Sequence, residues 1–321
     1  MGGKLNLRQI RWILRQKEKG ELSINHIAKQ NNITSRWVRQ LAVKYRGVSL
    51  NDIRLNKPGT KSIPISSEDI KNVRRAKERY GLGAILLQQL LAENGVFMSH
   101  NKIHRILIQE GLAKKEPKKS RKRKWIRWER RHSNTMLHTD YTVGDNGKQI
   151  LMFEDDASRY IMGYGEFDNA TTDNAILVFD RIRVKWGVPK ELMTDHGSQF
   201  CEDENKEYRF RKHIESFGVK HVLARVKHPQ TNGKQEKLGD TIKKIMRWKK
   251  CGLDEAVTFY NEVRPHMSLY NGHTRTPLIA YYEKMRPNQR YGKTYEKGLA
   301  YAKQAGSTAW LRLEYKDLVV K

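Results

Sequence analysis

The sequence predicts an α/β protein in which a mixed five-stranded sheet with helices is preceded by all-α units. Two observations lead to this fold class. Residues 5–112 carry apolar side chains at the spacing of amphipathic helices, separated by Gly and Asn. Residues 135–250 instead alternate strand-like runs with helical stretches, in the order three strands, helix, strand, helix, strand, helix. We therefore expect helical units first and a sheet with packed helices after them.

The charge balance of the chain indicates a polyanionic partner. It has 63 Lys and Arg against 35 Asp and Glu, a formal net charge of +28. Such an excess repels itself in a compact fold unless a polyanion neutralises it, so nucleic acid is the expected partner. A ribosomal or chromatin-packing protein is the alternative that the same charge allows.

Other classes of protein fit the sequence less well. Cys201 and Cys251 are the only cysteines, which argues against a disulfide framework and a cysteine-rich zinc site. No apolar run approaches the roughly 20 residues that span a bilayer, and the first residues do not read as a signal peptide. We expect a cytoplasmic, nucleoid-associated prokaryotic protein without a membrane partner.

Residues 1–56 predict a helix-turn-helix domain. One helical stretch is followed by two short helices within residues 23–45, which a tight turn at Asn31-Asn32 separates. In a helix-turn-helix, the second helix enters the major groove of DNA. Its expected DNA contacts are Arg36, Arg39 and Gln40. A helical hairpin that serves only packing is the alternative.

Residues 57–113 predict a second helix-turn-helix domain. Whether this domain also has a wing stays open at this point. Helices are expected from Ser66 to about Arg79, at 84–95 and at 99–112, because each begins at a polar cap or glycine and ends at a glycine or turn.

Residues 114–133 predict a basic linker. Between Lys114 and Arg131 there are eleven basic residues against two acidic ones. Such a run stays extended until phosphates neutralise it, so we expect it to follow DNA. The expected contacts are Lys122, Arg123, Lys124 and Arg127. A merely solvated linker is the alternative.

Residues 134–285 predict the α/β domain. Its strands are expected at 135–143, 148–156, 159–167, 189–195 and 219–224, and its helices at 171–187, within 203–217 and at 232–250. This order of elements is that of the ribonuclease H-like fold. Residues 286–321 are expected to form a basic, turn-rich tail, with one or two strands near its end.

Three acidic residues lie at positions where a sheet of this kind can bind ligands. Asp140 lies in the first strand, Asp195 ends a buried strand, and Glu236 lies in the first turns of a helix that begins after HPQTNG. Carboxylates suit hard cations, and two Mg²⁺ or Mn²⁺ ions about 3.5–4 Å apart can assist displacement at a phosphodiester. Lys243 and Arg247 share the helix face of Glu236, so we expect them to hold DNA phosphates.

Some assignments stay open at this point. Asp156 competes with Asp140, although a salt bridge to Arg159 is its default interpretation. The expected role of His138, His196 and His228 is structural hydrogen bonding, with contact to substrate as the alternative.

The motifs HTDYT (138–142), TDHGSQF (194–200) and HPQTNGKQE (228–236) resemble, in this order, the catalytic core of DDE-type integrase-like transposases and retroviral integrases. DDASRY (155–160) and the segment 260–281 continue the similarity, which covers about 135–281. Two departures are visible. The second and third acids are separated by 40 residues (196–235), more than is usual in the family, and Leu137 stands where many relatives have Trp.

The resemblance implies that Asp140, Asp195 and Glu236 form a metal-binding triad with two ions. It further implies a transposase that binds terminal inverted repeats, hydrolyses a strand at each end and joins the 3′-OH ends to target DNA, as a homodimer or larger multimer. A domesticated transposase acting as a non-catalytic regulator, and a ribonuclease H-type nuclease that cuts without joining, are the alternatives.

Overall fold

A computed structural model describes residues 5–55, 64–114, 128–201, 208–224 and 229–306, the side chains of 229–232 excepted. The chain divides into two compact units, Met1–Ile63 and Pro64–Lys321. The predicted second helical domain and the α/β domain therefore belong to the same compact unit. No helix in the described ranges is both long enough and apolar enough to cross a membrane.

The first unit contains three helices: α1 (Leu7–Lys19), α2 (Ile24–Gln30) and α3 (Ser35–Lys44). Side chains at the preceding positions cap all three, and Thr34 caps α3 by accepting a hydrogen bond from the backbone N–H of Trp37. Asn32, with φ of 56°, makes the turn between α2 and α3. The helical arrangement is thus present where the pattern predicted it, whereas its DNA-binding role stays a prediction.

The second unit begins with the helices α4 (Ser67–Tyr80), α5 (Ala84–Glu93) and α6 (His100–Gln109). Residues 64–114 contain no strand, so no wing is present in this segment. The Glu93 carboxylate accepts hydrogen bonds from the backbone N–H and the hydroxyl of Thr274. These bonds tie α5 to the C-terminal part of the same unit.

A five-stranded sheet forms the centre of the second unit, in the strand order β3-β2-β1-β4-β5. The elements along the chain are β1 (Met136–Val143), β2 (Gln149–Asp155), β3 (Ile161–Phe167), α7 (Thr172–Trp186), β4 (Glu191–Thr194), α8 (Ser198–Cys201), α9 (Arg209–Ser216), β5 (Lys220–Leu223) and α10 (Pro229–Lys249). The first three strands pair antiparallel, and β4 and β5 continue the sheet in parallel with β1. This topology confirms the predicted ribonuclease H-like fold.

The two faces of the sheet pack against different helices, because alternate strand residues point to opposite faces. One face contributes Leu151 and Phe153 to a core shared with α7 and α9. The other contributes Ile150 and Met152 to a core shared with α10. The helix supplies a buried stripe, which consists of Leu238, Ile242 and Ile245.

Helix α10 begins earlier than the predicted range of 232–250. It starts at Pro229, so Asn232 and Gly233 lie inside it. Proline suits the first helical position, because it lacks an N–H that would have no partner there. Glu236 consequently lies in the third turn of the helix.

The C-terminal part is more ordered than the predicted tail. It contains α11 (Leu253–Thr258), a π-helical turn (Phe259–Val263), two 3₁₀ turns (Met267–Leu269 and Pro287–Gln289), α12 (Pro277–Glu283) and α13 (Gly292–Ala305). Ala302 of α13 is fully buried, and Tyr301 donates a hydrogen bond of 2.7 Å to Glu262. The strands expected within 310–320 lie outside the described residues.

Candidate active site

The pairing of β1 with β4 brings together the segments that carry Asp140 and Asp195. The parallel register places His138 opposite Met193. Asp140 lies two residues beyond His138 on β1, and Asp195 lies two residues beyond Met193, directly after β4 ends at Thr194. Both side chains are half-buried. Asp195 also accepts a hydrogen bond of 2.9 Å from the backbone N–H of Gly197, which holds its carboxylate at the start of the following turn.

Helix α10 covers this face of the sheet beside Asp140. The Gln235 amide donates a 2.9 Å hydrogen bond to the backbone carbonyl of His138. One turn further on, a carbon added at Gly239 would lie only 3.2 Å from the Thr142 side chain, so glycine permits the close approach of helix and strand. Glu236 lies between these two contacts and is exposed. The helix that carries Glu236 therefore packs against β1, the strand that carries Asp140.

The three acids do not form a closed metal-holding group. Within the described ranges, no three His, Cys, Asp or Glu side chains are arranged to hold a metal ion. The carboxylate oxygens of Asp140, Asp195 and Glu236 nevertheless suit Mg²⁺ or Mn²⁺, which are held by few carboxylates together with water and substrate.

Lys243 and Arg247 have partners near the end of β1. The Lys243 ammonium donates to the Thr142 hydroxyl at 3.3 Å and to the Val143 carbonyl at 3.2 Å. Arg247 pairs with Asp145 at 2.9 Å. These cations thus hold the end of the first strand and the turn after it, and their predicted contact with DNA phosphates stays a prediction.

Asp156, the competitor of Asp140, is enclosed by donors. Its side chain is 0% exposed. One oxygen, Oδ1, accepts hydrogen bonds from His138 Nε2 at 2.9 Å and from the Lys234 ammonium. The Arg159 guanidinium lies 3.4 Å away, which confirms the predicted salt bridge. The other oxygen accepts a 2.5 Å bond from the backbone N–H of Arg130. The carboxylate is therefore occupied by protein and faces no solvent.

The protonation states in this cluster follow from burial and neighbouring charge. Burial alone would raise the pKa of Asp156, but hydrogen bonds from His138 and Lys234 and the positive charge of Lys234 hold it below its ordinary value. Burial lowers the pKa of His138, although Asp156 opposes this effect. At neutral pH the imidazole is therefore a neutral donor to a charged carboxylate.

Glu154 is a second buried acid beside this cluster. Its carboxyl group accepts a 3.2 Å hydrogen bond from Tyr260 at Oε1, while Oε2 is buried without a hydrogen-bond partner among the described residues. Burial raises its pKa to about 7, although Arg159 and Lys234 act in the opposite direction. Glu154 borders a cavity of about 280 Å³ whose other walls come from Arg159, from α10 and from the segment 260–268.

Lys234 and Glu154 belong to this network, although neither was predicted as a site residue. Lys234 lies in the motif HPQTNGKQE, where only Glu236 was predicted as a ligand. Glu154 was predicted only as part of a strand. The adjacent acids Asp155 and Asp156, followed by Arg159, were the available signal of a buried charge cluster, since buried charges need partners.

The predicted DNA contacts in the first unit are accessible. Arg36, Arg39 and Gln40 are exposed on α3. Ser35 at the start of this helix donates a 2.6 Å hydrogen bond to Asn25 of α2. The linker residues Lys122, Arg123, Lys124 and Arg127 lie outside the described residues, as does His228. His196, expected to serve structure, bonds the backbone carbonyl of Ala224 at 2.7 Å.

Part of the α/β domain is similar to a known protein family. Residues 130–229 match the family model of the integrase core domain. A relative described as an uncharacterized protein of Archaeoglobus fulgidus is 32% identical over 85 residues, which is 26% of this chain and 64% of the relative. The chain thus spans less than two thirds of that relative's length.

Several solved structures of viral integrases are similar to this chain. The catalytic core of BIV integrase is 18% identical with a TM-score of 0.38, over 47% of this chain and 95% of that one. The simian T-cell lymphotropic virus intasome, solved with the PP2A regulatory subunit B56 gamma, is 16% identical with a TM-score of 0.41, over 65% and 74%. The HTLV-2 integrase core in complex with magnesium is 18% identical with a TM-score of 0.36, over 48% and 97%.

Proposed function

Because residues 130–229 match the integrase core domain family, we propose that the chain is a DDE-type DNA transposase. It would bind the terminal inverted repeats of its element, hydrolyse one strand at each end, and join the freed 3′-OH ends to target DNA. The family match supports the coarser part of this proposal, a polynucleotidyl transferase. Cleavage, joining and recognition of the repeats are the finer part.

The observation that carries the proposal is the placement of the acids. The parallel pairing of β1 with β4 supports it, because Asp140 lies two residues beyond His138, Asp195 lies two residues beyond Met193, and His138 and Met193 are paired. The helix that carries Glu236 packs against β1 through Gln235 and Gly239. The three carboxylates come from distant parts of the chain, and they are the kind of donor set that a divalent cation site for phosphoryl transfer needs.

Asp140, Asp195 and Glu236 would hold two Mg²⁺ or Mn²⁺ ions. When bound, these ions supply a nucleophilic water and neutralise the charge that develops on the phosphate. The chain's own residues hold the ligands in place. The backbone N–H of Gly197 fixes the Asp195 carboxylate, and the Gln235 amide fixes the path of α10 along β1.

DNA binding would come from the basic parts of the chain. A net charge of +28 suits a substrate whose affinity rests on phosphate neutralisation. Arg36, Arg39 and Gln40 are exposed on one short helix, where they can reach a major groove. We propose that the same DNA is bound by the linker cations Lys122, Arg123, Lys124 and Arg127. Since two element ends must be joined together, the active form would be a dimer or a larger multimer.

Substitution of single acids tests the proposal. In a Mg²⁺-dependent cleavage assay on DNA that carries the sequences flanking the gene, Asp195→Asn and Glu236→Gln should each abolish cleavage and leave DNA binding unchanged. Asp240→Asn, one turn further along the exposed face of α10, is the matched control and should keep cleavage. Cleavage by Asp195→Asn at the wild-type rate would refute the assignment.

The same assay separates the alternatives. A non-catalytic regulator would bind the DNA without cutting it. A nuclease would cut it but give no joined product when target DNA is added. The transposase proposal requires binding, cutting and joining together.

A further inference from the structure

Asp156 stands between the two elements that carry Asp140 and Glu236. His138, one of its donors, lies two residues before Asp140 on β1. Lys234, another donor, lies two residues before Glu236 on α10. Both donate to the same oxygen, Asp156 Oδ1. A single buried oxygen therefore connects the strand and the helix at the level of the proposed metal site.

A second bond connects the same two elements. The Gln235 amide donates to the His138 carbonyl at 2.9 Å, and both residues are buried. Lys234 is fixed further by Trp128, whose carbonyl accepts a 2.9 Å hydrogen bond from the ammonium and whose ring centroid lies 3.9 Å from it. Lys234 thus has partners on two sides, and α10 cannot move along β1 without breaking several of these bonds.

Resting on the function proposed above, we propose that Asp156 is a positioning residue: through His138 and Lys234, it sets the spacing between Asp140 and Glu236. The carboxylate is buried and fully used by protein donors, so it does not bind metal itself. Its negative charge holds Lys234 inward, and Lys234 holds the helix. Groups that orient metal ligands in this way typically change metal affinity by about 10- to 100-fold when they are removed.

Asp155 offers a matched control. It is adjacent to Asp156 in the chain, equally buried and also fully hydrogen-bonded, but its partners are Ser158 and the backbone N–H of Asn134. None of these partners lies on α10, and none is next to a proposed metal ligand. Asp155→Asn therefore removes a buried charge at the same depth without touching the connection between β1 and α10.

The test measures Mn²⁺ binding to the full chain by electron paramagnetic resonance of the free ion, with thermal unfolding measured in parallel. Asp156→Asn should weaken Mn²⁺ binding by about tenfold or more, whereas Asp155→Asn should bind Mn²⁺ as the wild type does, even where both lower the unfolding midpoint. Gln235→Leu leaves the charge cluster intact and removes the second connection, so it should also weaken binding. If Asp156→Asn does not fold, Mn²⁺ binding by Gln235→Leu tests the inference in its place.

Two results would overturn the inference. In one, Mn²⁺ binds with wild-type affinity to a folded Asp156→Asn, or to Gln235→Leu where Asp156→Asn does not fold, or the wild type binds none. In the other, Asp155→Asn weakens binding as much as Asp156→Asn, which would show only a general loss of stability. Because the readout is metal binding, a wild type that binds Mn²⁺ but cuts no DNA would refute the proposed function and leave the positioning role testable.

Discussion

Replacing Glu154 with glutamine is expected to make the protein more stable at alkaline pH than the wild type, by an amount that grows with pH. The Glu154 carboxyl group is 2% exposed, and its Oε2 has no hydrogen-bond partner among the described residues. Burial raises its pKa from the ordinary 4.5 to about 7, with Arg159 and Lys234 acting in the opposite direction. Glutamine keeps the shape of the side chain and an acceptor for the Tyr260 hydroxyl.

The sign and size of the effect follow from proton linkage. The folded state holds the Glu154 proton more tightly than the unfolded chain does, so the wild type is favoured below about pH 4.5 and loses this stability as the pH rises through about 7. A tenfold change in proton affinity corresponds to about 1.4 kcal/mol. The free energy of unfolding of Glu154→Gln relative to the wild type should therefore rise by about 3 kcal/mol between pH 4.5 and about pH 8.

Urea unfolding followed by circular dichroism at several pH values measures this difference. Comparing variant and wild type at each pH removes the contribution of the other acids, such as Asp155, whose pKa burial raises to about 6. Glu166→Gln, an exposed glutamate of β3, is the matched control and should show no comparable trend. A Glu154→Gln difference that stays constant with pH would refute the argument that Glu154 is a buried, protonatable group.

Two further predictions concern packing and DNA binding. Gly163→Ala should lower the free energy of unfolding by about 1–3 kcal/mol in a thermal or urea melt, because the added carbon would lie 2.4 Å from the Ile182 side chain; an unchanged midpoint would contradict this packing of α7 on β3. Arg39→Ala should weaken DNA binding and reduce the slope of log affinity against log salt by about 0.9. Lys19→Ala, at the end of α1, should leave that slope unchanged if α3 is the helix that contacts DNA.

The fold could be predicted from the sequence because its helices and strands depend on local residue patterns. Strand-like runs in 135–167 predicted three adjacent strands, and the structure has them at Met136–Val143, Gln149–Asp155 and Ile161–Phe167. Turn residues were equally informative, as with Asn31-Asn32 between α2 and α3. The start of α10 was predicted wrongly, because Asn232-Gly233 has the chemistry of a turn while the tertiary structure continues the helix through it.

The candidate site was only partly accessible from sequence, since it depends on contacts between distant residues. Motifs located Asp140 and Asp195, but only the pairing of β1 with β4 shows that the segments carrying them are neighbours. The choice between Asp140 and Asp156 could not be made from position in the chain. Burial argues against Asp156, because His138 and Lys234 enclose it, whereas Asp140 as a metal ligand stays a proposal. No sequence signal indicated that the distant Lys234 would reach the Asp156 carboxylate.

The most direct test of the central claim is a strand-transfer assay. The protein is incubated with Mg²⁺, short DNA ends that expose a 3′-OH, and a supercoiled target plasmid, and joined products are separated on a gel. We expect the wild type to give joined products and Asp140→Asn to give none while still binding the DNA ends. Joined products from Asp140→Asn at the wild-type level, or none from a wild type that binds the ends, would contradict the account.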